Sequence, residues 1–214
     1  MPTVNSVADR LPGAIALWGT TAEVLADPAV VAHQLTGSEE RRAGRFMHAR
    51  ERDGFRAAHL LARACGVRIG LSPNVLELRQ QCQTCGEGHG VPRFPHAPYV
   101  RVSIAHTRGA VVAAVAKTAI GVDIEPIRAM QIADLAPVLS AAEAAWLRSN
   151  PGDAIRLWCR KEAAAKASED GVSGMRRVNA LTGGWTEHAA EGFQICIATE
   201  SPIVLSRAGA RALG

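Results

Sequence analysis

The chain of 214 residues is long enough for one large domain or two lobes of about 100 residues each, and at 48% apolar and 21% charged it is neither disordered nor fibrous. It holds no run of about 18 apolar residues and no basic-then-apolar N-terminal segment, which predicts a cytoplasmic protein without a membrane span, and five scattered cysteines predict free thiols rather than a disulfide framework. The formal charge of +4, carried by arginines except at Lys117, Lys161 and Lys166, suits an anionic ligand or an acidic partner, with no clustered stripe or motif to point to nucleic acid.

Residues 14–18 read as a short strand, followed by Thr20 and Thr21 as helix caps and by the apolar spacing of Val24, Leu25, Val30, Val31 and Leu35. Ser38, with Glu39 and Glu40 behind it, predicts the N-cap of a long helix or a pair of helices. There Phe46, Ala49, Phe55, Ala58, Leu61, Ala62 and Cys65 recur at helical spacing as far as Gly66, and the polar positions are crowded with arginine, Arg45 and Arg52 among them. Between Gly66 and Tyr99 the periodicity fades into a loop that carries Cys82, Cys85 and His89. Those three ligands are one short of a closed zinc site, so Zn²⁺ at Cys82, Cys85 and His89 needs a fourth ligand such as His96 or Cys65.

Three β-like runs follow, over 100–104, 110–116 and 119–125, and connections too short for crossover helices predict antiparallel neighbours. In the third run Asp123 and Glu125 are two apart and share one strand face, while Val122 and Ile124 take the other. Carboxylates held that close repel unless a cation, a metal or solvent compensates. Residues 139–143 form a capping box, predicting a helix with Ala145, Trp146 and Leu147 inward and a structural Glu143. Asn150-Pro151-Gly152-Asp153 breaks that helix and opens another over 154–168, on which Glu162 and Lys166 stack four apart. Taken alone, that pair is equally an i,i+4 ion pair worth a few tenths of a kcal/mol. Trp185 in a strand or turn, then strands over 192–198 and over 203–205, lead to an end expected to fray from Ser206.

Together, Gly121-Val122-Asp123-Ile124-Glu125 and Trp158-Cys159-Arg160-Lys161-Glu162-Ala163-Ala164-Ala165-Lys166 resemble the two signature motifs of the 4′-phosphopantetheinyl transferases, in that family's order and spacing. The resemblance is to the two-lobed, monomeric type that includes the enzyme activating surfactin synthetase. The arginine-rich helix, the segment Ser103-Ile104-Ala105-His106-Thr107 and the helix start at Leu139-Ser140-Ala141-Ala142-Glu143 fit the same pattern.

The resemblance implies a mixed α+β fold of two similar lobes related by a pseudo-two-fold, each a small, mainly antiparallel sheet against a long helix. Residues 1–116 would bind coenzyme A through the basic helix and the His106 turn, and residues 117–214 would carry the metal carboxylates and the catalytic helix. The implied reaction moves the 4′-phosphopantetheine arm of coenzyme A to a serine of an acyl-, aryl- or peptidyl-carrier domain and releases 3′,5′-adenosine bisphosphate. In it Asp123, Glu125 and Glu162 hold Mg²⁺ or Mn²⁺, Glu162 accepts the serine proton, and Lys166 meets the phosphates. Arg45, Arg52, His106, Thr107, Lys161 and Lys166 contact coenzyme A. The sequence departs from the pattern where Gly90-Val91-Pro92 lacks the family's phosphate-binding lysine, where Ala105 replaces a serine before His106, where Asp53-Gly54 stands in place of an arginine, and in a short segment after Gly171. These predict weaker coenzyme A binding and keep open a second reading, a transferase-like protein that binds carrier domains or nucleotide without efficient turnover.

Overall fold

A computed structural model describes residues 13–81, 90–169 and 171–209, so Cys82, Cys85 and His89 lie outside the described residues. The first strand, β1 (Ala14–Thr20), runs into the short helices α1 (Thr21–Ala26) and α2 (Pro28–Val31). Thr20 caps α1 reciprocally: its hydroxyl accepts from the Glu23 N–H and the Glu23 carboxylate accepts from the Thr20 N–H. The arginine-rich stretch is a pair of helices, α3 (Gly37–Ala43) and α4 (Ala49–Arg68). Thr36 rather than Ser38 caps α3, because Thr36 has Glu39 three residues on to complete the capping box. Gly66 does not stop α4. A Cβ there would come within 2.5 Å of Leu76 Cδ2, so this glycine admits a close neighbour and the helix continues to Arg68.

The stretch expected to be loop holds a two-residue ribbon, β2 (Arg79–Gln80) with β3 (Pro92–Arg93). Strands β4 (Arg101–Thr107) and β5 (Ala110–Ala116) pair antiparallel as expected, and β1 pairs with the other edge of β5. The third run, β6 (Ile120–Pro126), does not join them. With both edges of β5 taken, it crosses to a second sheet of order β6-β8-β7, beside β8 (Phe193–Thr199), which in turn pairs with β7 (Trp185–Ala190). Helices α5 (Ile132–Leu135), α6 (Ala141–Ser149) and α7 (Ala154–Ser168) lie between β6 and β7 in sequence. The Ser140–Glu143 capping box opens α6 with Leu147 inward, but Ala145 faces solvent. The last strand, β9 (Ile203–Arg207), returns to the first sheet parallel to β1, so that sheet, of order β4-β5-β1-β9, draws on both sides of position 116. Ser206 and Arg207 are thus not frayed: Arg207 donates to Glu23 at 2.7 Å and lies 5.2 Å above the Trp18 ring.

The apolar faces define four layers. Leu17, Val111, Ala113 and Val115 of the first sheet meet Ala58, Leu61 and Cys65 of α4. The opposite face, with Ala16, Trp18, Val112 and Ala114, meets Val122, Ile124, Ile195 and Ile197 of the second sheet. Beyond that sheet lies α7, whose Cys159 and Ala163 pack against Cys196. Covered on both faces, β5 is buried along its whole length. The two-residue period of β6 then sends Val122 and Ile124 into the core between the sheets and leaves Gly121, Asp123 and Glu125 on the α7 side. The Ser103 hydroxyl accepts from the Val122 N–H at 3.0 Å and ties β4 to β6. Among the described residues no helix is long and apolar enough to cross a membrane.

Candidate active site

The site is built where α7 rests on β6. A Cβ on Gly121 would stand 1.8 Å from the Ala163 carbonyl oxygen and 2.5 Å from the Ala167 nitrogen, so only glycine lets the helix backbone come so close. Side chains one turn apart on α7 therefore reach the β6 carboxylates. Lys166 Nζ donates to Asp123 Oδ1 at 2.7 Å and stands 3.9 Å from Glu162 Oε2. Trp158 Nε1 donates to Glu125 Oε1 at 3.0 Å. The shorter bond of Lys166 runs across to the strand, which makes the Glu162–Lys166 spacing part of a tertiary cluster rather than an isolated helix-surface pair.

The cluster is short of positive charge. Burial pushes the Glu125 carboxyl above its ordinary range and the neighbouring Asp123 adds to the push; burial does the same to Glu162, reinforced by Asp123 and Glu125. Burial alone would lower the pKa of Lys166, but the charge of Asp123, their hydrogen bond and Glu162 outweigh it and raise it. Asp123 Oδ2 is buried with no hydrogen-bond partner among the described residues. No three His, Cys, Asp or Glu side chains among the described residues converge as a preformed metal cage; the Lys166 ammonium stands between Asp123 and Glu162 instead. The orphaned Asp123 oxygen and the excess of hard carboxylate oxygens fit a small divalent cation such as Mg²⁺.

The cluster opens onto a cleft of about 290 Å³ whose wall includes His106, Asp123, Glu125 and Lys166, faced by Arg42 and Phe55 from α3 and α4. Ala105 lines the same cleft. His106 lies against α4 at Gly54, where a Cβ would meet its Nδ1 at 3.2 Å. Surrounding protein, and after it the Lys166 charge, push the His106 pKa down. A second cavity, of about 480 Å³, is lined by Arg41, Arg42, Arg45 and Arg79, and Arg42 and His59 border both.

The remaining candidates fall differently. Arg45 lines the arginine cavity, but Arg52 lines neither space and sits 3.8 Å from Asp53. Thr107 pairs with Ala110 at the end of β4 and lines neither space. Glu162 stands beside the cleft, outside its lining. Lys161 has to be corrected: it is fully buried, 2.9 Å from Glu143, and donates to the carbonyls of Met175 and Val178. One position before Glu162 is about 100° round the helix, which turns Lys161 toward Glu143 of α6 and outside the lining of the cleft. Glu143 is structural as expected, and although burial works to raise its pKa, Lys161 and the Ser140 and Ala180 N–H groups lower it. Arg42, His59 and the Trp158 bond to Glu125 were not anticipated. The run of arginines at 41, 42 and 45 was the available signal for Arg42, whereas nothing in the spacing marked His59.

Residues 119–203, which include β6 and α7, match the family model described as the 4′-phosphopantetheinyl transferase superfamily. No curated protein matches the chain.

Proposed function

We propose, on the premise that residues 119–203 are a 4′-phosphopantetheinyl transferase unit, that the chain moves the phosphopantetheine arm of coenzyme A to a serine hydroxyl of a carrier domain. The observation that carries this is the close seating of α7 on Gly121, which brings Glu162 and Lys166 to Asp123 inside the matched segment and beside an arginine-lined cavity. In the reaction the serine oxygen bonds to the phosphorus that bears the pantetheine arm, and the bond from that phosphorus to 3′,5′-adenosine bisphosphate breaks. Glu162, whose burial favours the protonated form, takes the serine proton. The Lys166 ammonium, partly exposed at the cleft, is offered to the pyrophosphate. His106, Arg42 and Arg45 hold the nucleotide phosphates on the side of the lobe proposed for residues 1–116. Trp158 keeps Glu125 in place. Asp123, Glu125 and Glu162 are the residues that would hold Mg²⁺, or Mn²⁺ in its stead; when bound, the ion neutralises charge on the pyrophosphate oxygens.

The partner in this reading is an acidic acyl-, aryl- or peptidyl-carrier domain, drawn to a chain of net charge +4. The protein would act in the cytoplasm as a monomer of the two-lobed type. The test is the intact mass of several apo carrier domains after incubation with the protein, coenzyme A and Mg²⁺. The expected result is a gain of one phosphopantetheine group that is lost with chelator and with Asp123→Ala. A set of carriers unchanged in mass, with coenzyme A bound, would favour the reading as a docking protein.

A further inference from the structure

One buried ion network plays no part in that chemistry. Glu39 on α3 and His59 and Arg63 on α4 are 4%, 1% and 3% exposed. Glu39 Oε2 accepts from Arg63 at 2.5 Å and from the Thr36 N–H at 2.8 Å, while Oε1 lies 2.7 Å from His59 Nδ1. Burial works to raise the pKa of Glu39, but the His59 and Arg63 hydrogen bonds win and bring it to about 2. An ionised Glu39 only accepts, so His59 Nδ1 carries the proton and donates, and Nε2 keeps a bare lone pair. Phe55 lies over the imidazole with centroids 4.0 Å apart and fixes the plane of the ring. His59 Nε2 is buried and has no partner among the described residues. A fully satisfied network with one acceptor left over, held in a set orientation, is what a ligand-reading group looks like before its ligand arrives.

The place of His59 says what kind of ligand. It borders the cavity of Arg41, Arg42 and Arg45 on one side and the cleft of His106 and Asp123 on the other, and His106 is close enough for the two rings to affect each other's charge. Guanidinium groups select an anion. A neutral acceptor among them selects a hydrogen-bond donor adjacent to that anion. Coenzyme A carries that pair of groups, a 3′-phosphate on the ribose carbon next to a free 2′-hydroxyl.

Resting on the coenzyme A reading, we infer that His59 Nε2 accepts the hydrogen of the ribose 2′-hydroxyl beside the arginine-held 3′-phosphate, with Glu39 and Arg63 as the positioning residues that fix its tautomer. His59 is thereby a specificity-determining contact for ribonucleotide over deoxyribonucleotide.

The experiment is calorimetric titration of the protein with adenosine 3′,5′-bisphosphate and with its 2′-deoxy analogue. The ribonucleotide is expected to bind about tenfold more tightly. In His59→Phe, which keeps the ring against Phe55 and loses both nitrogens, the two should bind equally; His59→Leu serves if the Phe variant melts far below the parent. A merely structural His59 would weaken both ligands alike and leave their ratio unchanged. Equal binding to the unaltered protein overturns the inference without any variant, as does a preference that survives in His59→Phe. If neither nucleotide binds, the coenzyme A reading fails and the inference with it.

Discussion

Lys161 and Lys166 lie five positions apart on one helix and meet different fates. Lys166 reaches the cleft with 31% of its side chain exposed, while Lys161 has none exposed and spends its hydrogen bonds on Glu143 and two carbonyls. Removing one partner of a buried ion pair strands the other, so Lys161→Met should cost about 3–5 kcal/mol. Thermal melting checks this, together with the KM for coenzyme A measured below the variant's melting temperature, which should stay at the parent value. A raised KM with unchanged melting would return Lys161 to the ligand-binding set. The difference between the two lysines was not legible in the sequence, because both sit in one motif and the partner that buries Lys161 belongs to another helix. Asp123 and Glu125 were legible, since a period of two on a strand ending at a proline leaves them one face to share. Their need for a positive partner was equally readable. That Lys166 meets that need at 2.7 Å required the tertiary structure.

Between elements, two contacts govern the geometry. The first is α7 on β6 at Gly121. A side chain there would meet the helix backbone at 1.8 Å, and a backbone carbonyl cannot turn aside as a flexible side chain can. Gly121→Ala should therefore cost at least about 3 kcal/mol, the level of severe core overpacking. Soluble yield and melting temperature measure that, and any folded fraction should transfer poorly because Glu162 and Lys166 move off Asp123. The second contact is α3 on α4 through Glu39, His59 and Arg63. The Glu39 pKa is about 2 against an ordinary 4.5, so its stabilisation is complete above pH 4.5 and is lost as pH falls toward 2. The loss amounts to about 3 kcal/mol. His59, lowered by burial from 6.5, acts in the same direction: stability declines once pH drops below 6.5 and the folded protein resists protonation. Acid unfolding should thus begin below pH 6.5 and steepen below 4.5, and Glu39→Gln should flatten the lower part of the curve. A pH-independent melting temperature from 7 to 3 would refute the network's role. The capping boxes at Thr20 and Ser140 and the boundaries of α7 were readable from local chemistry, as that of Thr36 should have been.

At the scale of the molecule, the two sheets bury their facing sides in one shared core, and neither sheet is covered without the other. Expressed apart, residues 1–116 and 117–214 would each expose that face, and the first would also lack β9. Each half is expected to be insoluble, with soluble protein recovered only on co-expression; sedimentation of each lysate decides it, and a soluble, cooperatively melting half would show that a lobe stands alone. The mixed α+β class and the long helix against each sheet came with the family resemblance, while periodicity marked the separate helices and strands. The crossing of β6 was not legible, because a three-residue link serves a hairpin and a crossover equally well until it is known that β1 already holds the free edge of β5. The parallel return of β9 to β1 also lay beyond local pattern, and it bears on how the protein comes to exist. As the ribosome emits the chain, β1 is complete at Thr20, yet it finds one neighbour only at residue 110 and the other only at residue 203. The first sheet cannot close until β9 is made, so one edge of the apolar strand β1 stays open between the synthesis of β5 and that of β9. Pairing over such long sequence separations is slow. Until β9 pairs, the open β1 edge is where the nascent chain is most exposed to pairing with the wrong strand.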